Sequence, residues 1–367
     1  MPLRHQPPTL RRATMTVIAN HFERLCYDCP SRQQMISMVD SEDYLQFEGP
    51  FVHMPSQLLE DMLEEVKHVT HLRRHHLHIL LTPLLTNWSS HGIGDLLTAF
   101  RLLAARCKSL KQLNISYLRH MNPSVLMGLV PCFSNLVSLN LRMTLTVDQL
   151  LRQIGRACPD LRELNLASTP ITDRGLVQLC VADDGHRLCQ NLLRLFVADT
   201  AVSTGGATVV LQSLPNLREF DYDQIFDVLE LVENWDQGLE SRLLMGAGVR
   251  LSAEPTLPPS HIRLTTLISV AEHVCVQGLE AAARLCPETR SVTLSNAWLP
   301  SEALYKLMVM EHLTSISLTN SEGLTLDFHE GVLPLLAVCG HRLQNLILTN
   351  FTSVDITGEL QTMSNYM

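Results

Sequence analysis

The chain has 367 residues, with 28 Lys and Arg against 37 Asp and Glu, which gives a formal net charge of −9. This charge argues against a nucleic-acid-binding protein, because such proteins use cationic side chains to neutralise phosphates. Hydrophobic residues make up 46% of the chain, aromatic residues only 5%, and 66 residues are leucine, so the composition excludes a wholly disordered chain and favours layered aliphatic repeats.

The N-terminal residues 1–8 lack the apolar segment of a secretory signal peptide. No window approaches the roughly 18 uninterrupted apolar residues of a membrane-spanning helix. We therefore expect a cytoplasmic or nuclear protein that does not bind a membrane. Its ten cysteines are expected to be free thiols.

Residues 1–76 are predicted to form an all-α helical module. Residues 9–25 carry apolar side chains at helical spacing, namely Leu10, Val17, Ile18, Phe22 and Leu25. A second amphipathic helix is predicted after Met54 and Pro55, since proline is well tolerated in the first turn of a helix.

Two short motifs in this module resemble those of ubiquitin-ligase substrate receptors. The first consists of Thr9, Leu10, Thr14 and Ile18, and the second of Met54, Pro55, Leu58 and Met62. The first is similar to an elongin-binding box, in which the family places Cys where this chain has Thr14. The second resembles the cullin-2 box of leucine-rich receptors of the zyg and PRAME types. The resemblance implies that Leu10, Thr14, Ile18 and the four residues of the second motif contact an elongin B–C and cullin adaptor.

The second motif leaves other interpretations open. The segment from Met54 to Leu59 also resembles the opening of an F-box, which would imply a Skp-type adaptor. Either adaptor would be bound by an apolar helix face in a groove. A third interpretation is that these helices only cap the open end of a repeat core, as solenoids require.

Histidines cluster just before the repeats, at His68, His71, His75, His76 and His78. We expect them to lie on a solvated helix. Cys26 and Cys29 form a C-x-x-C pair, but no second pair follows to complete a four-ligand zinc site. The sequence therefore predicts no metal site and no cofactor.

The pattern L-x-x-L-x-L, with conservative replacements, recurs through most of the chain. Its copies are Leu110/Leu113/Ile115, Leu136/Leu139/Leu141, Leu161/Leu164/Leu166, Leu192/Leu195/Val197, Leu217/Phe220/Tyr222, Leu264/Leu267, Val292/Leu294, Leu313/Ile316/Leu318 and Leu343/Leu346/Leu348. A weaker copy is predicted at Leu81 and Leu84. The longest step, from Leu217 to Leu264, is nearly two periods and leaves open a degenerate repeat near Leu244.

Helix-like segments lie between the copies, and several end in a cysteine just before the next copy, as at Cys107, Cys158, Cys189 and Cys286. This pattern resembles the cysteine-containing leucine-rich repeat of leucine-rich F-box proteins and other ubiquitin-ligase receptors. The resemblance implies an α/β fold, a leucine-rich-repeat solenoid or horseshoe, over residues 77–350. An irregular insertion is predicted at about 224–262, which includes the proline-rich run 254–259, and residues 351–367 are assigned to a C-terminal cap or tail.

Side chains that flank the inward leucines of each strand are expected on the concave surface, because strand side chains alternate. Arginines, carboxylates and one aromatic residue fall in these positions. Our candidates for substrate binding are Arg142, Arg194, Phe196, Asp221 and Asp223. Such a surface could select a charged peptide, since charge pairs contribute orientation and association rate.

No motif for phosphate binding, for a serine nucleophile or for a zinc protease occurs, so we predict no catalytic residues. The resemblances imply a non-catalytic substrate receptor of a cullin–RING ubiquitin ligase, with protein partners and without nucleic acid. The alternative is a leucine-rich-repeat scaffold or inhibitor that has no role in a ligase.

Overall fold

The computed structural model describes residues 9–26, 37, 41, 49–69, 72–234, 237–249, 261–271, 274–295, 298–320 and 326–351. The chain forms two compact units, Met1–Asn140 and Leu141–Met367. The predicted domain boundary at residue 76 stays a prediction. The proline-rich run 254–259 and the predicted tail, apart from residue 351, lie outside the described residues.

Unit 1 contains helices before and between three short parallel strands. Its helices are α1 (Leu10–Asn20), α2 (Phe22–Cys26), α3 (Ser56–Val69), α4 (Arg74–Leu80), α5 (Leu96–Arg106) and α6 (Pro123–Leu129), and its strands are β1 (Asn87–Ser89), β2 (Gln112–Asn114) and β3 (Ser138–Asn140). A short 3₁₀ helix, Val130–Cys132, follows α6. The strands pair in the order β1–β2–β3, and Trp88, Leu113 and Leu139 are in register.

Unit 2 continues the alternation of strand and helix. Its strands are β4 (Glu163–Asn165), β5 (Arg194–Phe196), β6 (Glu219–Asp221), β7 (Thr266–Ser269), β8 (Ser291–Ser295), β9 (Ser315–Thr319) and β10 (Asn345–Thr349). Its α-helices are α7 (Asp148–Ala157), α8 (Asp173–Cys180), α9 (Thr204–Ser213), α10 (Ile225–Glu233), α11 (Gln237–Gly246), α12 (Val276–Leu285) and α13 (Leu333–Cys339). A 3₁₀ helix, Ser301–Val309, precedes β9, and a π-helical turn, Phe328–Val332, leads into α13.

The strands of unit 2 pair in parallel and in chain order from β4 to β10. A parallel pair requires a crossover between its strands, usually a helix. Strand, crossover and neighbouring strand therefore repeat along the chain. The predicted α/β leucine-rich-repeat solenoid is confirmed.

The inward side chains of the strands form the core. Leu164, Leu195 and Phe220 are in register on β4, β5 and β6 and are at most 1% exposed. Burial of each such side chain contributes roughly 2 kcal/mol. The cysteines before the strands are part of the same core, and burial raises the pKa of Cys158 and of Cys286 to about 12 because the thiolate would lose its solvation.

A residue in the left-handed backbone region follows several strands at one fixed repeat position. These residues are Tyr117, Met143, Ser168, Asp199 and Asn350, with φ between 55° and 66°. Each stands seven residues after the first leucine of its repeat. Non-glycine residues rarely adopt this conformation, so its recurrence marks the same turn out of the strand in each of these repeats.

In unit 2, the aspartate that begins one helix accepts hydrogen bonds from the residue just before the next helix. Asp148 accepts hydrogen bonds from the backbone N–H and hydroxyl of Thr172, at 2.9 and 2.7 Å. Asp173 accepts the equivalent pair from Ser203, both at 2.7 Å. A Cβ on Gly206 would lie 2.2 Å from Asp173 Oδ1, so a larger residue there would displace the Asp173 carboxylate from Ser203.

One detail of the predicted repeats is wrong, and one alternative that the sequence left open is resolved. The first copy is Leu85/Trp88 and not Leu81/Leu84, because Trp88 pairs in register with Leu113 and is 5% exposed, whereas Leu84 is 44% exposed. The degenerate repeat left open near Leu244 is not a strand, since Leu244 lies in α11 and Glu219 of β6 pairs directly with Thr266 of β7.

The expectation that the clustered histidines are solvated is wrong for His76 and His78, whereas His68 on α3 is exposed. His76 is 3% and His78 is 1% exposed, both on α4. The ring of His76 meets that of Phe22 edge-on at 5.0 Å, and Arg106 Nη1 donates to the carbonyl of His78 at 2.7 Å. Burial lowers the pKa of both histidines to about 4. His71 and Cys29 lie outside the described residues.

Candidate functional site

Helix α1 is held firmly against α3. Thr9 caps its N-terminus by accepting a hydrogen bond from the backbone N–H of Arg12 at 3.3 Å. Met15 and Ala19 form its buried face, and the hydroxyl of Thr16 donates to Glu65 Oε1 at 2.6 Å. An ion pair joins Arg11 to Asp61. The docked face of α1 is therefore different from the apolar stripe that the sequence emphasised.

Four residues on the other side of α1 are exposed or half-buried. Leu10 is 85% and Val17 is 57% exposed, Thr14 is exposed, and Ile18 is half-buried. The Thr14 hydroxyl donates to the carbonyl of Leu10 at 2.8 Å, so its polar group is already bonded within the helix. We call Leu10, Thr14, Val17 and Ile18 the α1 row.

The residues of the second predicted motif, at the start of α3 and just before it, are not all exposed. Pro55 is exposed and Met54 and Leu58 are half-buried, but Met62 is fully buried and cannot contact a partner in this conformation. Leu59 and Val66 share its buried face, each at 0% exposure. The packing of α3 against the core therefore takes Met62 away from any surface formed by the other motif residues.

The polar side of α3 contacts the start of the sheet in unit 1. The Ser56 hydroxyl accepts a hydrogen bond from the backbone N–H of Thr86 at 2.8 Å, and Asn87 Nδ2 donates to Glu60 Oε2 at 3.0 Å. These bonds attach α3 to β1, the first strand.

A cleft of about 430 Å³ lies between α1 and α3. It is lined mainly by charged side chains, including those of Arg12 and Glu64, so the apolar surface of α1 is the α1 row and not this cleft.

In unit 2, the candidate substrate residues lie on the solvent-facing side of β4, β5 and β6 and next to these strands. Two rows run across the strands, Glu163–Arg194–Glu219 and Asn165–Phe196–Asp221. Arg194 Nη2 lies 2.7 Å from Glu163 Oε2. Arg142 is exposed, while Phe196, Asp221 and Asp223 are half-buried.

The electrostatics of this surface are dominated by carboxylates. Burial and the charge of Asp223 raise the pKa of Asp221, and the charge of Arg142 opposes this shift. Burial and the charges of Asp173, Asp223 and Asp227 raise the pKa of Tyr222 to about 12. The charges of Asp223 and Arg142 therefore both act on Asp221, which is consistent with the three residues lying on one surface. The role of all the predicted site residues stays a prediction.

Sequence reasoning did not assign Val17 to the adaptor surface, although it recognised the residue as apolar. Its position three residues after Thr14 was the available signal, because residues three and four apart share a helix face. Which face of α1 would be exposed depended on the docking of Met15 and Ala19 on α3, which the helical spacing alone does not reveal.

The described part of the chain contains no group of three or more His, Cys, Asp or Glu side chains that could hold a metal ion. Within those same ranges, no helix combines the length and the apolar character that crossing a membrane requires.

No protein-family model and no curated protein sequence matches the chain. Similar solved structures include the complex of Rad7 and Elc1 in yeast, with 15% identity and a TM-score of 0.48 over 98% of this chain and 91% of that one. Leiomodin-1 actin-binding site 2 shows 16% identity and a TM-score of 0.30 over 39% of this chain and 86% of its own. The complex of TLR13 with ssRNA13 shows 16% identity and a TM-score of 0.38 over 76% of this chain and 36% of its own. These values assign neither an activity nor a partner to the chain.

Proposed function

We propose that the protein is a non-catalytic substrate receptor of a cullin–RING ubiquitin ligase. In this proposal α1 binds an elongin-type adaptor and the repeats of unit 2 bind the substrate. The ligase chemistry belongs to partner subunits, and the receptor contributes proximity between the substrate and the transferred ubiquitin.

The observation that carries the proposal is the exposed α1 row. Leu10 and Val17 are mostly in solvent although the other side of α1 is packed on α3. An apolar row on a fixed helix is suited to a hydrophobic groove on a partner. The internally bonded hydroxyl of Thr14 leaves its methyl group available, which reduces the difference from the cysteine that the elongin-box family has there.

The difference in exposure between α1 and α3 supports an elongin-type adaptor over a Skp-type adaptor. The F-box interpretation requires the apolar face of α3 to meet the partner, but Leu59, Met62 and Val66 are each at 0% exposure within unit 1. A Skp-type adaptor would have to displace this packing. The capping interpretation suits α3, which is bonded to β1, and leaves α1 available for a partner.

Co-elution tests the proposal. The full chain is mixed with elongin B–C and, separately, with a Skp-type adaptor, and each mixture is separated by gel filtration. We expect co-elution with elongin B–C and loss of it in Leu10→Ser. Leu97→Ser is the matched control, because Leu97 is another exposed leucine of unit 1, at 58% exposure on α5. Co-elution with neither adaptor would leave the scaffold interpretation, and co-elution that survives Leu10→Ser would remove α1 from the binding surface.

A further inference from the structure

The solvent-facing side of the sheet in unit 2 is divided by charge. We define the β4–β6 face as Arg142, Glu163, Asn165, Arg194, Phe196, Glu219, Asp221 and Asp223. The outward positions of the following strands are uncharged, namely Thr266 and Ile268 on β7 and Ser291, Thr293, Ser295, Ser315, Ser317 and Thr319 on β8 and β9. A charged ligand would therefore be selected on the β4–β6 face.

Phe196 is the one aromatic side chain at an outward position of the described strands. It is half-buried, and in its row it stands between Asn165 and Asp221. Neighbouring strands are about 4.8 Å apart, so Phe196 and Asp221 are directly adjacent residues on the same side of the sheet. An aromatic face with an adjacent negative charge attracts a cation through both the ring quadrupole and the Coulomb force.

The charges of the face do not balance. It carries four carboxylates, those of Glu163, Glu219, Asp221 and Asp223, against the guanidinium groups of Arg142 and Arg194. Arg194 is engaged by Glu163 at 2.7 Å. Asp221 and Asp223 are two residues apart in the chain, and the charge of Asp223 raises the pKa of Asp221 whereas that of Arg142 lowers it. A further cation near these two aspartates would relieve their repulsion.

We propose that the β4–β6 face binds an extended peptide segment through one arginine or lysine, which lies over the ring of Phe196 and pairs with Asp221 and Asp223. The inference deepens the proposed function by giving the chemistry of the substrate, and it rests on the repeats being the substrate-binding part. Acidic and phosphorylated segments are disfavoured, because they would meet a surface with an excess of carboxylates.

Selection from a phage-displayed library of random peptides on the immobilised full chain tests this inference. We expect arginine or lysine to be enriched at one position of the selected peptides. The Asp221→Asn/Asp223→Asn double variant is expected to lose this enrichment, whereas Asp184→Asn, an exposed loop aspartate in the same unit, is expected to keep it. Melting followed by circular dichroism verifies that each variant is folded.

Phe196→Leu provides a second, independent variant. Leucine preserves an apolar side chain but removes the ring, so the affinity for a selected arginine-containing peptide should fall about fivefold. A peptide in which citrulline replaces that arginine should bind the wild type and the Phe196→Leu variant equally. No enrichment of a cation, enrichment of acidic residues, or unchanged selection by the double variant would overturn the inference. None of these measurements involves an adaptor, so failure of the α1 proposal and failure of this one are separately visible.

Discussion

Single residues in this chain acquire their roles from neighbours in other repeats. Gly206 is near the start of α9, a position where alanine would ordinarily be the better helix former by about 1 kcal/mol. The carboxylate of Asp173 occupies the space that its Cβ would need, while binding the backbone and hydroxyl of Ser203. The glycine is therefore a consequence of the capping aspartate in the preceding repeat.

This relation predicts a coupled pair of substitutions. Gly206→Ala should lower the free energy of unfolding by about 1–3 kcal/mol, because Asp173 must move and release Ser203. Adding Asp173→Ala should cancel part of that loss, since the clash disappears with the carboxylate. Urea unfolding of both single variants and of the double variant measures the coupling energy, and strictly additive effects would contradict the account.

The buried histidines of α4 predict a pH dependence of stability. His76 and His78 have a pKa of about 4 in the folded protein against an ordinary value of 6.5. Between these values the unfolded chain binds more protons than the folded chain, so stability falls as pH falls from 6.5 to 4. The loss is at most about 3 kcal/mol for each histidine.

Urea unfolding at several pH values between 7.5 and 4.5, followed by the fluorescence of the three tryptophans, tests this dependence. The His76→Gln/His78→Gln double variant should lose stability less steeply with falling pH than the wild type, and His68→Gln, an exposed histidine on α3, should not differ from it. Parallel curves for the wild type and the double variant would show that these histidines do not cause the effect.

At the scale of elements, the repeat pattern predicted most strands correctly because each strand is short and its inward side chain is almost always aliphatic. It failed at β1, where Trp88 replaces leucine. It also failed at α1, whose apolar spacing could not show which face would pack on α3. The burial of His76 and His78 was not predictable either, because helical spacing does not reveal that aromatic and guanidinium neighbours enclose the imidazoles.

The two faces of α1 predict opposite responses to substitution. Leu10→Ser should change the free energy of unfolding by less than about 0.5 kcal/mol, because the side chain is 85% exposed. Met15→Ala should destabilise unit 1 by about 2 kcal/mol, because Met15 fills the contact with α3. Thermal unfolding of both variants separates the faces, and equal losses would show that the α1 row is a packing surface.

At the scale of the whole molecule, the leucine-rich composition and the repeat spacing were sufficient to predict the fold class. Function follows less directly, because the candidate surfaces depend on a few side chains that packing leaves exposed. The α1 row belongs to unit 1 and the β4–β6 face belongs to unit 2. A receptor requires two such surfaces for two partners, and either surface alone would also suit a scaffold.

The central claim is that the α1 row binds an elongin-type adaptor, and calorimetric titration of elongin B–C into the full chain tests it most directly. We predict saturable binding to the wild type and to Leu97→Ser. Affinity should fall by about tenfold or more in Leu10→Ser/Val17→Ser, because two exposed anchors of one helix face are lost. Absence of binding to the folded wild-type chain, or unchanged affinity in the double variant, would contradict the claim.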